Sequence, residues 1–215
     1  MDVVIENLPR YLAGFRLTLL LLAVSGIAAL IIGTIIAAMR ISPITTLRGF
    51  ATVYTELVRN TPLTLVLFFC AIILPYLGAD FSYLVFAAIG LSVYTSPFVA
   101  EALRSGINGV PIGQAEAARS LGLNFGQSVG LVILPQAFRM TIPPLINVFI
   151  ALTKNTSVAG GFFVAELFTV GKELANGNGD RVIAVLLGVA TFYLIITIPL
   201  GILAAHVERR VMVQR

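Results

Sequence analysis

Long stretches without charge constrain this chain more than any other feature. The longest extends from Leu12 to Met39 and carries no charge after Arg16. A helix needs about 20 mostly apolar residues to cross a bilayer, where every backbone polar group must find a partner inside the protein. Charged residues form only 11% of the sequence, against roughly 25% in soluble domains. The sequence therefore predicts an all-α membrane protein with several spans.

We predict five spans in a single transmembrane domain that occupies residues 1–215. The predicted spans are residues 12–39, 62–77, 83–100, 138–152 and 182–205. The first is too long for the apolar core of a signal peptide, so we expect it to be retained. Pro143 and Pro144 lie inside the fourth. We expect this span to be broken there and buried within protein, because prolines leave backbone carbonyls without partners.

The positions of Lys and Arg predict the orientation, since these residues are enriched in cytoplasmic loops. An outward N-terminus and an inward C-terminus place nine basic residues inside and five outside. The inner ones are Arg40, Arg48, Arg59, Arg104, Arg119, Arg139, Arg209, Arg210 and Arg215, and the outer ones are Arg10, Arg16, Lys154, Lys172 and Arg181.

Several common functions lack their sequence requirements. The net charge is +4, but the basic residues are scattered, so we expect no nucleic-acid partner. Cys70 is the only cysteine and His206 the only histidine, which leaves neither a disulfide framework nor a metal site. The dipeptide Gly171-Lys172 lacks the rest of a phosphate-binding P-loop. We therefore expect no ATPase site, no catalytic residue and no cofactor on this chain.

The polar stretch from Val110 to Gly122 lies on the predicted cytoplasmic side. Pro111 suits the first turn of a helix, and Gly122 suits a left-handed cap at its end. These signals predict a helix over residues 111–121, roughly 16 Å long. Such a helix is too short and too polar to span a membrane.

Small residues give this predicted helix a nearly smooth side. Gly113, Ala117 and Ser120 recur three or four residues apart, and a smooth helix fits into a groove on a partner protein. Glu116 and Arg119 are spaced to pair with each other or with that partner. The alternative is a helix lying on the bilayer, which would carry large apolar residues opposite a basic face. We expect this helix to present neither feature.

A longer motif surrounds the same segment. Glu116-Ala-Ala-Arg-Ser-Leu-Gly122 is followed, after nine residues, by Val132-Ile-Leu-Pro135. This pattern resembles the EAA loop of ABC importer permeases and departs from it only at Val132, where isoleucine is commonest. The resemblance implies a coupling helix that docks onto an ATPase. The implied coupling residues are Pro111, Gly113, Gln114, Glu116, Ala117, Ala118, Arg119, Leu121, Gly122 and Pro135.

Four further stretches resemble the polar amino acid uptake branch of these permeases. They are Arg59-Asn-Thr-Pro62, Phe98 to Arg104 with Gly106, Val110 to Gln114, and Lys154-Asn-Thr-Ser157. The resemblance implies a five-span type I importer subunit in a bacterial cytoplasmic membrane, with glutamate-type solutes favoured. It also implies two ATPase subunits that bind ATP and Mg²⁺, a solute-binding protein, and a second permease, with a heterodimer favoured over a homodimer.

Polar residues within or beside the spans are candidates for the solute pathway. Asn147 lies in the fourth span, Lys154 follows at its outer end, and Thr61 precedes the second span. These side chains offer hydrogen bonds to a zwitterionic or acidic solute. Hydrogen bonding between helices is the competing interpretation of Asn147.

Charged residues near the span ends have a structural alternative. Glu101 and Arg104 are three residues apart, as are Glu56 and Arg59. We interpret each pair as interfacial anchors or as structural ion pairs.

Two other classes of membrane protein remain open from the residues alone. An ion-coupled transporter predicts intramembrane carboxylates and an inverted repeat, and neither is visible. A membrane-embedded enzyme needs a convergent set of catalytic groups, whereas the cytoplasmic glutamates are dispersed along the chain.

Overall fold

A computed structural model describes residues 2–213, with side chains through residue 210. Arg215, which we assigned to the inner side, lies outside the described residues. The described chain is mostly helical and contains no strand, which confirms the predicted all-α class. The helices are α1 (Asp2–Glu6), α2 (Leu8–Arg40), α3 (Thr45–Asn60), α4 (Leu63–Phe68), α5 (Leu74–Tyr76), α6 (Tyr83–Asn108), α7 (Ile112–Ser120), α8 (Phe125–Gln127), α9 (Leu134–Asn155), α10 (Leu167–Gly177) and α11 (Val182–Val213).

Four helical segments of the described chain are long and apolar enough to cross a membrane. They are Leu8–Arg40, Tyr83–Asn108, Phe125–Phe162 and Val182–Arg210. The pair Thr45–Asn60 and Leu63–Tyr76 is bent by 101° and passes the same test together. The predicted number of five is reached if this bent pair is one span.

The fourth predicted span differs from our expectation in two ways. Helix α9 continues through Pro143 and Pro144 without a break, so the broken helix was wrong. A break in the helix would leave further backbone groups without hydrogen bonds. In apolar surroundings this would cost more free energy than the few hydrogen bonds that the two prolines cannot make. The burial of this span is also mixed, because Pro143 and Ile146 are buried within this chain whereas Phe138 and Asn147 are exposed. The chain alone therefore supplies only part of the burial that we expected.

The irregular backbone lies before two other prolines. A π-helical segment, Phe69–Ile73, precedes Pro75, and a second, Ser128–Ile133, precedes Pro135. Both prolines follow the dipeptide Ile-Leu. A proline ring crowds the carbonyl four residues earlier and donates no hydrogen bond to it. A local change to wider π-helical turns accommodates that crowding.

Small residues allow the long helices to approach closely, as the 19 glycines of the sequence suggest. A Cβ atom added to Gly33 of α2 would lie 2.6 Å from the Cβ atom of Val99 on α6. One added to Gly106 of α6 would lie 2.8 Å from the carbonyl oxygen of Ala137 on α9 and would collide with the Thr141 hydroxyl. These contacts hold α2, α6 and α9 in one packed unit.

Candidate functional site

The short polar helix forms with the C-terminal cap that the sequence predicts, whereas Pro111 directly precedes its first turn instead of lying in it. Pro111 is the N-cap of α7, and Leu121 is its C-cap. Gly122 has a φ of +82°, which confirms the left-handed cap. The N–H of Leu123 donates to the carbonyl of Ala118 at 3.2 Å, and the N–H of Gly122 to that of Arg119 at 2.9 Å. These two bonds form a Schellman motif that stops the helix.

Most of α7 faces away from the rest of the chain. The predicted coupling residues on it are exposed, except Ala118, which is 3% exposed. Ala118 therefore packs against its own chain rather than offering a contact to a partner. The residues Ile112 and Leu121 at the two ends are 77% and 82% exposed. The expectation that this helix lacks large exposed apolar residues was wrong, because both ends project away from the core.

A hydrogen bond connects α7 to the beginning of α9. Gln136 Nε2 donates to Gln114 Oε1 at 3.5 Å and to the carbonyl oxygen of Val132 at 2.8 Å. Gln136 was not among our candidates, although it directly follows Pro135 in the motif. Glu116 and Arg119 form no ion pair within the described residues. Their charges are therefore available on the outer surface of α7.

A cavity of about 420 Å³ lies between α6 and α9. Asn147 in its wall is exposed, which shows that the cavity opens to the surface of the chain. Its lining combines two aromatic rings with three polar side chains. The lining residues are Tyr94, Thr95, Phe98, Asn147, Val148, Ala151, Leu152 and Asn155.

Several polar groups of this cavity, Thr95 and Asn147 among them, have no side-chain hydrogen bond within the described chain. Thr95 is 4% exposed, and its Oγ1 is the one buried side-chain oxygen or nitrogen in the described residues without a hydrogen bond. Asn147 makes no side-chain hydrogen bond there either, so the helix-to-helix bond that competed for its role is not formed within this chain. An orphaned buried hydroxyl costs free energy. The cavity therefore presents polar groups that a ligand can satisfy.

The other predicted pathway residues lie outside the cavity. Lys154 is exposed on α9 and is not part of the lining, whereas its neighbour Asn155 is. Thr61 lies at the bend between α3 and α4, and its Oγ1 donates to the carbonyl oxygen of Leu57 at 2.8 Å. Thr95 and Asn155 were missed, since nothing local in the sequence indicates which face of a helix meets a cavity.

Glu101 is the centre of an ion-pair cluster. The predicted pair with Arg104 is confirmed at 3.1 Å, and Arg40 also binds the carboxylate. Arg59 lies 3.8 Å from Glu101 Oε1, so the expected pair of Arg59 with Glu56 does not form. Arg59 faces α6 instead, where its Cζ lies 5.6 Å from the centroid of the Phe98 ring.

Another carboxylate, that of Glu166, caps α10. It is fully buried and accepts hydrogen bonds from the N–H groups of Phe168 and Thr169, both at 2.8 Å, and from the hydroxyl of Tyr193 at 2.9 Å. Burial raises the pKa of Glu166, while these donors oppose the rise. Sequence reasoning missed this group, because it lies outside every predicted span.

Comparison with known proteins adds independent evidence. The sequence profile described as "binding-protein-dependent transport system inner membrane component" matches residues 15–213. The glutamate transport system permease protein of Corynebacterium glutamicum is 42% identical, with 96% of each chain covered. A probable glutamine ABC transporter permease of Bacillus subtilis is 37% identical, with 97% of this chain and 96% of that protein covered.

A solved structure agrees in fold over nearly the whole length. The crystal structure of an amino acid ABC transporter with histidines superposes with a TM-score of 0.88 at 29% sequence identity. The match covers 96% of this chain and 96% of that one. The helical arrangement described above is therefore shared with an experimentally determined transporter.

Proposed function

The chain belongs to the family of binding-protein-dependent transport system inner membrane components, and from that premise we propose how it works. It is a permease subunit of an ABC importer for amino acids, like the relatives that it matches. This membership decides against the ion-coupled transporter and the membrane enzyme that the residues alone left open. Its role is transport rather than covalent chemistry.

Docking to an ATPase is the proposed role of α7. The observation that carries it is a helix which projects almost completely from its own chain, with the apolar residues Ile112 and Leu121 exposed at its two ends. A partner groove would bury both ends and the smooth side between them. Motion of the ATPase would then pass through the Gln114–Gln136 hydrogen bond into α9. Two partner ATPases, one per permease, would bind and hydrolyse ATP with Mg²⁺.

We propose that a second permease subunit packs against α9. Several of its residues, among them Phe138, Asn147 and Ala151, are exposed within the chain, and the last two of these line the cavity beside it. A facing subunit would close the cavity and bury polar groups that lipid cannot satisfy. We favour a heterodimer, with an extracytoplasmic binding protein that delivers the solute to the closed pair.

The cavity is the proposed solute pathway. Its unpartnered Thr95 and Asn147 offer hydrogen bonds to a small polar molecule. Glutamate-type solutes are favoured, because a relative named for glutamate transport is 42% identical over almost all of the chain. Alternating access would expose the cavity first outward and then inward, with each state favoured by the partner that binds it best.

An outward N-terminus and a cytoplasmic C-terminus remain our proposed orientation. Support comes from the excess of basic residues on the predicted inner side. Single cysteines at Asp2 and at Glu208, in a chain without Cys70, test it with a membrane-impermeant thiol reagent on intact cells. Labelling at position 208 but not at position 2 would reverse the orientation.

Co-purification tests the docking proposal directly. The chain extracted in mild detergent should bring a P-loop ATPase with it. The substitution Glu116→Lys should reduce that recovery and abolish uptake, while the protein still inserts into the membrane. Glu208→Lys, the same charge reversal at an exposed residue on the predicted cytoplasmic side, is the matched control. Normal ATPase recovery and uptake with Glu116→Lys would refute the proposal.

A further inference from the structure

The cluster around Glu101 has more positive than negative charge. Three guanidinium groups lie within 4.0 Å of this one carboxylate. Arg40 and Arg104 take its hydrogen bonds, and Arg104 Nη2 reaches Oε2 at 3.1 Å. Arg59 remains at 3.8 Å, beyond hydrogen-bond distance. Arg59 is therefore the member of the cluster with the weakest hold on the carboxylate.

No other acidic group in the described chain pairs with Arg59. Glu56 lies three residues earlier, but its carboxylate accepts only a weak bond from Asn60 Nδ2 at 3.5 Å. The Arg59 side chain is 39% exposed. An arginine carries five N–H donors and does not lose its charge. Its donors are consequently available to an anion from outside the cluster.

The position of Arg59 relates it to the transport cavity. Its Cζ lies 5.6 Å from the centroid of the Phe98 ring, and Phe98 lines the cavity. Phe98 and Thr95 are three residues apart and share a face of α6. Helix α3 is held against α6 by the Tyr54 hydroxyl, which lies 2.7 Å from Ser96 Oγ. Arg59 is thus fixed beside the wall that carries the unpartnered Thr95 hydroxyl.

From this arrangement we infer that Arg59 binds a carboxylate of the transported amino acid in the cavity. The inference rests on the proposed function and names the chemistry that its site recognises. The planar guanidinium fork matches the two oxygens of a carboxylate. Thr95 Oγ1 supplies a further donor beside it. A carboxylate at this place also neutralises charge that Glu101 alone leaves unbalanced.

Arg104 provides a matched comparison within the same cluster. It has the same side-chain exposure of 39% and is bound to the same carboxylate. Nine residues separate it from Thr95, which at about 3.6 residues per turn places it on the opposite face of α6. There it lines a separate apolar groove with Leu103 and Phe138. Loss of Arg104 therefore removes a closer ion pair than loss of Arg59 does. It does not remove any group that lies beside the cavity.

Equilibrium binding to the complete importer tests the inference. Radiolabelled glutamate and glutamine are added separately to the purified permease–ATPase complex in nanodiscs, without the binding protein. We expect Arg59→Gln to weaken binding roughly tenfold or more, as for loss of a charge-assisted hydrogen bond, and Arg59→Lys to weaken it less. Arg104→Gln should change the affinity by less than about twofold. Recovery of the assembled complex checks each variant.

The two ligands distinguish the source of the carboxylate. If Arg59→Gln binds both glutamate and glutamine more weakly, Arg59 binds the main-chain carboxylate that the two share. If only glutamate binds more weakly, Arg59 binds the side-chain carboxylate. Unchanged affinity in Arg59→Gln would overturn the inference, as would an equal loss in Arg104→Gln. A wild-type complex that binds neither amino acid would instead overturn the proposed solute pathway, and this inference with it.

Discussion

Substitution of Gly122 by alanine isolates the backbone conformation that ends α7. Gly122 has a φ of +82°, and a Cβ atom added to it would meet nothing within 4 Å. The substitution therefore adds no steric clash with the rest of the chain. Its whole effect comes from placing an L side chain in the left-handed region, which costs roughly 1–2 kcal/mol.

This cost translates into opening of the helix end. A change of 1–2 kcal/mol alters an equilibrium constant by a factor of roughly 5–30. The Schellman bonds donated by Gly122 and Leu123 should open that much more often. Hydrogen–deuterium exchange of the peptide that covers residues 112–123, measured on the purified complex, reports that opening. ATPase affinity should fall by up to the same factor, because docking must first reorder the helix.

Two control variants separate conformation from chemistry. Gly122→Asn should lose less than Gly122→Ala, since asparagine tolerates the left-handed region better. Gly113→Ala adds the same methyl group to α7 where φ is ordinary and space is open. It should slow exchange, because alanine favours helix by about 1 kcal/mol over glycine. Exchange in Gly122→Ala at the wild-type rate would refute the assigned role of the left-handed cap.

Three other changes test the helix packing and the carboxylates of Glu101 and Glu166. Gly106→Ala should lower the thermal unfolding midpoint by overpacking worth about 1–3 kcal/mol against Thr141, whereas Gly49→Ala, in open space, should not lower it. Glu101→Gln should destabilise the complex more than either, because it leaves three guanidinium groups without a counter-charge. Burial raises the pKa of Glu166 in the folded chain. The contribution of Glu166 to the free energy of unfolding is therefore complete at pH values below its pKa in the unfolded chain, and it declines as pH rises through its pKa in the folded chain. Glu166→Gln should flatten that dependence, and a pH series of unfolding midpoints with the opposite slope would contradict it.

The sequence predicted the structural features that depend only on neighbouring residues. The apolar stretch of α2 and the cap at Gly122 depend on neighbouring residues and on backbone conformation alone, so both are visible in the sequence. The helix through Pro143 and Pro144 was mispredicted, because a proline's effect depends on how the surrounding chain satisfies the freed carbonyls. Ala118 was likewise assigned to the docking surface, since spacing alone does not tell which side of a short helix its own chain covers.

The sequence by itself determined that this chain forms membrane-spanning helices, and that a short capped helix interrupts them. Hydropathy and caps act over a few turns, and they need no knowledge of distant residues. Only the tertiary structure decided which side chains meet. Arg40 and Glu101 are 61 positions apart, and the cavity wall combines α6 with α9. Such meetings depend on the rotation and crossing of packed helices, which close contacts at glycines such as Gly33 and Gly106 determine.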